Sequence, residues 1–377
     1  MKSYKTNVLF FLLFITFSCK KEVSKADKNK KSNTNIKYAK GFNIVEENGK
    51  KKLIIKAAYQ NSNKVFEYLI KKKKTKTSIE SNSEIIKVPV KRMVVTSTTH
   101  IPMLELLNEE NSIIGFPNSK YVSSEKTRKL IDAKQIKEIG KESSLNTEIL
   151  LDLKPELVVG FSVSSTDKSL TTIKKAGINI IYNGDWLEET PLGKAEWIKF
   201  FGVLLDKEKE ADSIFNAIEH RYLATKKLAL KAKEIPTVLS GNLFSDVWYA
   251  PGGNSFIANY FKDANTNYIW QKSKKSGSLP LSIETVLDKA KNATYWIGCG
   301  LYETKKDMQN SSKQYQNFNA YKTNEVYTYA NKKGAIGGLL YFETSAIKPD
   351  LMLKDILKIT HPELLPNYKL TFFDRIE

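Results

Sequence analysis

The chain has 377 residues, of which 41% are hydrophobic, and a formal net charge of +19. That length exceeds what one small core needs and points to two lobes with additions. Twenty lysines against six acidic residues fall in residues 1–80, so the basic excess belongs mostly to the leading segments. No Lys/Arg-rich face joins a known nucleic-acid-binding module, and nucleic acid is not an expected partner.

Residues 1–18 read as an export leader. Lys2 and Lys5 precede the apolar run Val8–Phe17, which is too short to span a bilayer comfortably. The run ends in Thr16-Phe17-Ser18-Cys19. A small residue before Cys resembles the cleavage box of bacterial lipoproteins, although Thr16 stands where that box usually has Leu. The resemblance implies a lipid on Cys19, with a plain secretory leader as the alternative. Residues 19–35, rich in Lys, Ser and Asn, read as a flexible tether. Cys299 is then left alone, so no intramolecular disulfide is expected. Its setting, Ile297-Gly298-Cys299-Gly300, is that of a small packed residue at a strand end.

Residues 36–84 read as a small antiparallel β appendage. Phe42–Val45 and Leu53–Ile55 flank the turn signal Asn48-Gly49, and Val65–Ile70 makes a third strand. Residues 85–191 alternate buried strands and helices, the pattern of βαβ units on a parallel sheet. Met93-Val94-Val95 is a strand, Ser97–His100 a loop, and Pro102–Leu107 a helix with Pro in its first turn. Ile113–Phe116 is the next strand, Val122–Ala133 a helix, and Ile178–Tyr182 a later strand. Residues 192–233 are linker helices without Pro. Asp206 is expected to cap the second of them, and a helix from Lys207 to Lys233 would run about 40 Å, enough to reach between lobes. Residues 234–377 repeat the strand–helix rhythm, from Pro236–Leu239 to the closing helix Asp350–Ile359.

One stretch occurs twice. Ile136–Gly160 and Leu279–Gly298 each carry a polar lead-in, a glutamate (Glu148, Glu284), an Asp four residues on (Asp152, Asp288), a short apolar-periodic segment and a buried run ending in Gly. Each reads as a loop, a short helix and a parallel strand, one per lobe.

The residues that carry a family resemblance are now in view. They are Pro89–Val95, Asn146-Thr147-Glu148 followed by Leu153–Val159, Ser282–Leu287, and Lys348–Asp355 running into His361-Pro362-Glu363. Over roughly Val88 to the C-terminus the chain resembles the helical-backbone (class III) substrate-binding proteins of ABC importers, which capture ferric siderophores, haem or cobalamin. The resemblance implies an α/β fold of two Rossmann-like parallel-sheet lobes joined by a long rigid helix. It implies a monomer with no resident cofactor, lipid-anchored in the bacterial cell envelope and facing the periplasm. It also implies that one glutamate per lobe, Glu148 and Glu284, pairs with arginines on the two permease subunits. Without the resemblance, each would be a surface Glu favoured by a helix's first turn.

Open α/β sheets bind ligands beyond the carboxyl ends of their strands. The expected cleft residues are Thr98, Thr99, His100, Tyr121, Phe161, Ser162 and Trp186 from the first lobe. From the second they are Phe244, Trp248, Tyr249, Tyr302 and Tyr341. The aromatics suit a broad, partly apolar ligand, and core packing is the competing role for each. His100 could ligate a haem iron or cobalt, or Thr98-Thr99-His100 could simply start a helix. The three histidines are scattered, with no Cys/His/Asp cluster at metal-ligand spacing, so no metal site is expected. There is no G-x-S-x-G, Walker loop or G-x-G-x-x-G after a strand, which argues against an enzyme. A surface capture or adhesion lipoprotein shares the anchor but has no need of the glutamate pair.

Overall fold

A computed structural model describes residues 32–33, 36–47, 49–60, 62–73, 84–142, 144–160 and 168–377. The leader, Cys19, most of the tether, Phe161 and Ser162 lie outside the described residues.

The antiparallel N-terminal sheet is larger than the expected hairpin. Its strands are β1 (Ser32–Asn33), β2 (Phe42–Glu47), β3 (Lys50–Ile55), β4 (Phe66–Lys72) and β5 (Glu84–Val88), in sequence order, with β4 and β5 parallel. Alternation along the strands puts Phe42, Ile44, Leu53 and Ile55 on one buried face. That face lies on the linker helices: the Phe42 ring is 4.6 Å from Trp197 and 6.4 Å from Phe200. Phe42 and Leu53 therefore share one core with Met93 and Val95 of the first lobe, and the sheet is a layer of that lobe.

The first lobe holds β6 (Met93–Val95), α1 (His100–Leu106), β7 (Ile113–Phe116), α2 (Glu125–Asp132), β8 (Lys137–Glu138), α3 (Thr147–Leu153), β9 (Leu157–Gly160), α4 (Lys168–Lys175) and β10 (Ile180–Tyr182). Its parallel sheet runs β10-β9-β6-β7-β8. The linker comprises α5 (Pro191–Glu196), α6 (Ile198–Leu205) and α7 (Glu208–Ala229). Asp206 does not cap α7; it closes α6 in a left-handed conformation (φ 58°), and Lys207 takes the cap position. The 22 residues of α7 span about 33 Å. Phe215 and Ile218 of α7 enter the first core and Tyr222 the second, so one rigid helix is seated in both lobes.

The second lobe holds β11 (Thr237–Leu239), the antiparallel strands β12 (Asn242–Phe244) and β13 (Val247–Pro251), α8 (Phe256–Asp263), β14 (Asn267–Tyr268), β15 (Ser278–Leu281), α9 (Ile283–Ala290), β16 (Tyr295–Ile297), β17 (Val326–Thr328), α10 (Leu340–Thr344), α11 (Pro349–Thr360) and β18 (Asp374–Arg375). Its main sheet runs β14-β11-β16-β17-β18, parallel except for β18. In each lobe the duplicated unit supplies the strand beside the lobe's first strand: β9 beside β6, and β16 beside β11. The two preceding helices begin alike. Asn146 caps α3 by accepting from Ile149 N, and Ser282 caps α9 by accepting from Thr285 N.

Candidate functional site

A cavity of about 600 Å³ opens between the second lobe on one side and, on the other, the segment after β10 and the loop joining β3 to β4. That volume lies within the range of small-molecule sites. The second lobe contributes residues at the carboxyl ends of its strands: Ser240 and Gly241 after β11, Ile297 and Gly298 at β16, and Tyr329 after β17. Gly241 turns the chain at φ +97°, and a Cβ there would sit 2.2 Å from the Tyr249 carbonyl oxygen, so no larger residue fits. Tyr329 and Tyr341 stack at 4.3 Å, 15° from parallel, and with Phe256 and Tyr249 make a largely aromatic floor. Burial raises the Tyr329 hydroxyl to about 12 and that of Tyr341 further, so both stay neutral hydrogen-bonding groups. Ala57, Tyr59, Gln60 and Ser62 face them, with Trp186, Leu187, Glu188 and Glu189.

Two of the charged side chains near this wall, Glu188 and Lys194, have defined partners. Glu188 is buried and accepts from Lys40 N, Gly41 N and the Trp197 Nε1–H; burial lifts its carboxyl above the usual range despite those donors. Buried Lys194 donates to the carbonyls of Asp185 and Trp186, both at 3.1 Å, and lies 4.4 Å from the Phe256 ring centre. Its pKa is lowered by burial, with Asp185 and Glu188 opposing that shift. The Asp185 carboxylate oxygens are buried without a hydrogen-bond donor among the described residues.

Of the expected cleft residues, the structure brings Trp186, Tyr249 and Tyr341 to the cavity. His100 is fully buried 5.5 Å from the Phe201 ring and does not line it; burial pulls its pKa down to about 4, leaving a neutral ring. Thr98 and Thr99 stay beside it at the start of α1, where Thr99 holds the N-cap position without a capping bond. Trp248 is a core residue, its ring tilted 33° against Trp296 at 5.2 Å and its Nε1–H on the Ser240 carbonyl. Its neighbour Tyr249 lines the cavity because adjacent strand residues face opposite ways. Phe244 is exposed on the β12–β13 hairpin, and Tyr302 bonds Ser311 and Tyr315 outside the cavity. Tyr121 is exposed at a seam where the lobes touch. There its carbonyl meets Gly338, and Glu343 of the second lobe accepts from Ser123 N at 2.6 Å.

Sequence reasoning missed the β3–β4 loop. Its only signal was an aromatic among amides, Tyr59-Gln60-Asn61, between two strands. Glu148 and Glu284 are both exposed in the first turns of α3 and α9. Hydrogen bonds to the Glu284 backbone and the Ser282 side chain hold the Glu284 carboxyl below its usual value. Among the described residues no group of three or more His, Cys, Asp or Glu could hold a metal, and no helix is long and apolar enough to cross a membrane.

Comparison with known proteins places this geometry. The profile of the periplasmic binding protein family matches residues 93–332. An uncharacterized lipoprotein of Methanocaldococcus jannaschii is 27% identical over 367 residues, covering 90% of this chain and 84% of that one. The crystal structure of a periplasmic binding protein from Veillonella parvula superposes with a TM-score of 0.59 at 16% identity, covering 90% of this chain and 98% of that one. A periplasmic haem-binding protein of Vibrio cholerae superposes with a TM-score of 0.54 at 16% identity, covering 70% of this chain and 98% of that one. With two parallel-sheet lobes on one helix and a cavity at the strand ends, the chain belongs to the periplasmic binding protein family.

Proposed function

We propose that the chain is the capture component of an ABC importer. It holds an iron chelate (a siderophore or haem) or a cobalamin in the cavity and passes it to a membrane permease. The observation that carries this reading is the aromatic-floored cavity at the carboxyl ends of β11, β16 and β17, where parallel sheets receive ligands. A helix seated in both cores makes closure a small rocking of the lobes. Lipid on Cys19 keeps the protein at the envelope membrane, facing the periplasm. The loaded protein docks on a two-subunit permease through Glu148 and Glu284, each exposed in the first turn of a matching helix.

The test is an absorption spectrum of protein purified from native cells, followed by titration of the stripped protein. A Soret band, corrin bands or a ferric-chelate band that returns on reloading supports capture and names the cargo. A colourless protein that binds no haem, cobalamin or ferric siderophore in titration refutes it.

A further inference from the structure

The β3–β4 loop precedes the segment matched by the family profile, yet through Ala57, Tyr59, Gln60 and Ser62 it is a wall of the cavity. It is held firmly. β3 and β4 are buried on the first lobe, Ala58 is fully buried, and the Tyr59 ring meets Tyr182 edge-on at 6.5 Å. The Ala57 carbonyl fills the space a side chain at Gly184 would need, 1.9 Å from its Cβ position. The loop therefore presents Tyr59, Gln60 and Ser62 to the ligand from a fixed frame.

The charge of the same side is unbalanced. The charged residues of the lining are Glu188 and Glu189. Buried Asp185 lies close behind, and the nearby buried cation is Lys194, already committed to two carbonyls. Two buried carboxyl groups, those of Asp185 and Glu188, thus stand beside one amine, while Glu189 pairs with Lys40 at 3.3 Å. Among the described residues no Lys or Arg is in the lining; besides Lys40, the lysines flanking it in sequence, Lys56, Lys64, Lys274 and Lys275, are all exposed to solvent. A ligand bringing further carboxylates or catecholates would meet excess negative charge in a low-dielectric setting.

We propose that this loop is a specificity-determining wall and that the site selects a ligand with a neutral or cationic surface, bonded through hydroxamate, amide or hydroxyl groups, over anionic porphyrins and catecholates. The inference rests on the import reading, and its test separates the two.

Full-length mature protein is titrated, with quenching of Trp186 in the lining as the signal, against cationic ferrioxamine B, neutral cyanocobalamin, haemin and anionic ferric enterobactin. We expect one of the first two to bind at least roughly tenfold more tightly than either anionic probe. Tyr59→Ala should weaken that probe about tenfold. Gln60→Lys, at an exposed position where folding is not at risk, should strengthen the anionic probes and weaken the cationic one. An anionic probe bound as tightly as the best of the others overturns the selectivity and leaves the import reading standing. Unchanged affinities in both variants overturn the wall. Failure to bind all four probes overturns the import reading and this inference with it.

Discussion

The buried carboxylate of Glu196 should be worth more to this fold than most single side chains. It is fully buried at the end of α5 and accepts from the backbone N–H groups of Lys37, Tyr38 and Ala39 at 2.7–3.1 Å, from a segment more than 150 positions away. It also pairs with nearly buried Lys199 at 3.1 Å. Glu196→Ala would leave three donors without their acceptor and remove an anionic partner of Lys199, which also pairs with Asp212. Hydrogen bonds to charged groups contribute about 1.5–3 kcal/mol each and do not add fully, so a loss of about 3–5 kcal/mol is expected. The partly exposed pair Lys37–Glu219 gives the contrast. Glu219→Ala loses that pair and the Tyr38 hydroxyl bond, and should cost about 1 kcal/mol. Urea denaturation of the two variants measures both, and limited proteolysis locates the loosened segment. A loss below about 1 kcal/mol for Glu196→Ala, or cleavage that spares residues 36–41, would refute the view that this carboxylate fastens the N-terminal layer to the linker.

Further outcomes follow from the site and the seam. Glu148→Arg with Glu284→Arg should abolish uptake while ligand affinity, measured by titration, stays at the wild-type value; normal uptake would remove both from docking. Trp186→Ala should weaken binding with little change in stability. Trp248→Ala should lower stability by about 3–5 kcal/mol, because it empties a fully buried site against Trp296 and Phe318. Burial, with Glu105 adding repulsion and the Ser123 and Ser124 amides opposing, raises the Glu343 carboxyl to about 7. A carboxyl raised on folding favours the folded state while protonated, so its contribution is full below the unfolded value and is lost as pH climbs to about 7. Stability should therefore fall between pH 5 and pH 8 by up to ~3 kcal/mol, and Glu343→Gln should flatten that part of the profile in denaturation measurements.

The repeated unit was legible because its signals are local. Asn146 and Ser282 are capping residues, the apolar runs after them have helical spacing, and Tyr295-Trp296-Ile297 reads as a buried strand. The cleft was legible only in part, since standing past a strand end does not fix where a side chain points. The turn into α1 sends His100 into the core beside Phe201, and strand alternation sends Trp248 inward and Tyr249 outward. The wall from the N-terminal layer was not legible. Its placement depends on Phe42 meeting Trp197 and on Gly41 meeting Glu188, contacts that no local pattern encodes. Asp206 misled for a related reason: Asp tolerates the left-handed conformation that ends α6 as well as the N-cap that would begin α7.

Hydrogen exchange on the protein with its co-purified cargo, before and after stripping, addresses the binding site most directly. Protection on loading should concentrate in residues 57–60, 186–189 and 240–242, which surround the cavity. Protection confined to the turn at 97–100 and the seam at 121–123, with the cavity segments unchanged, would contradict the account.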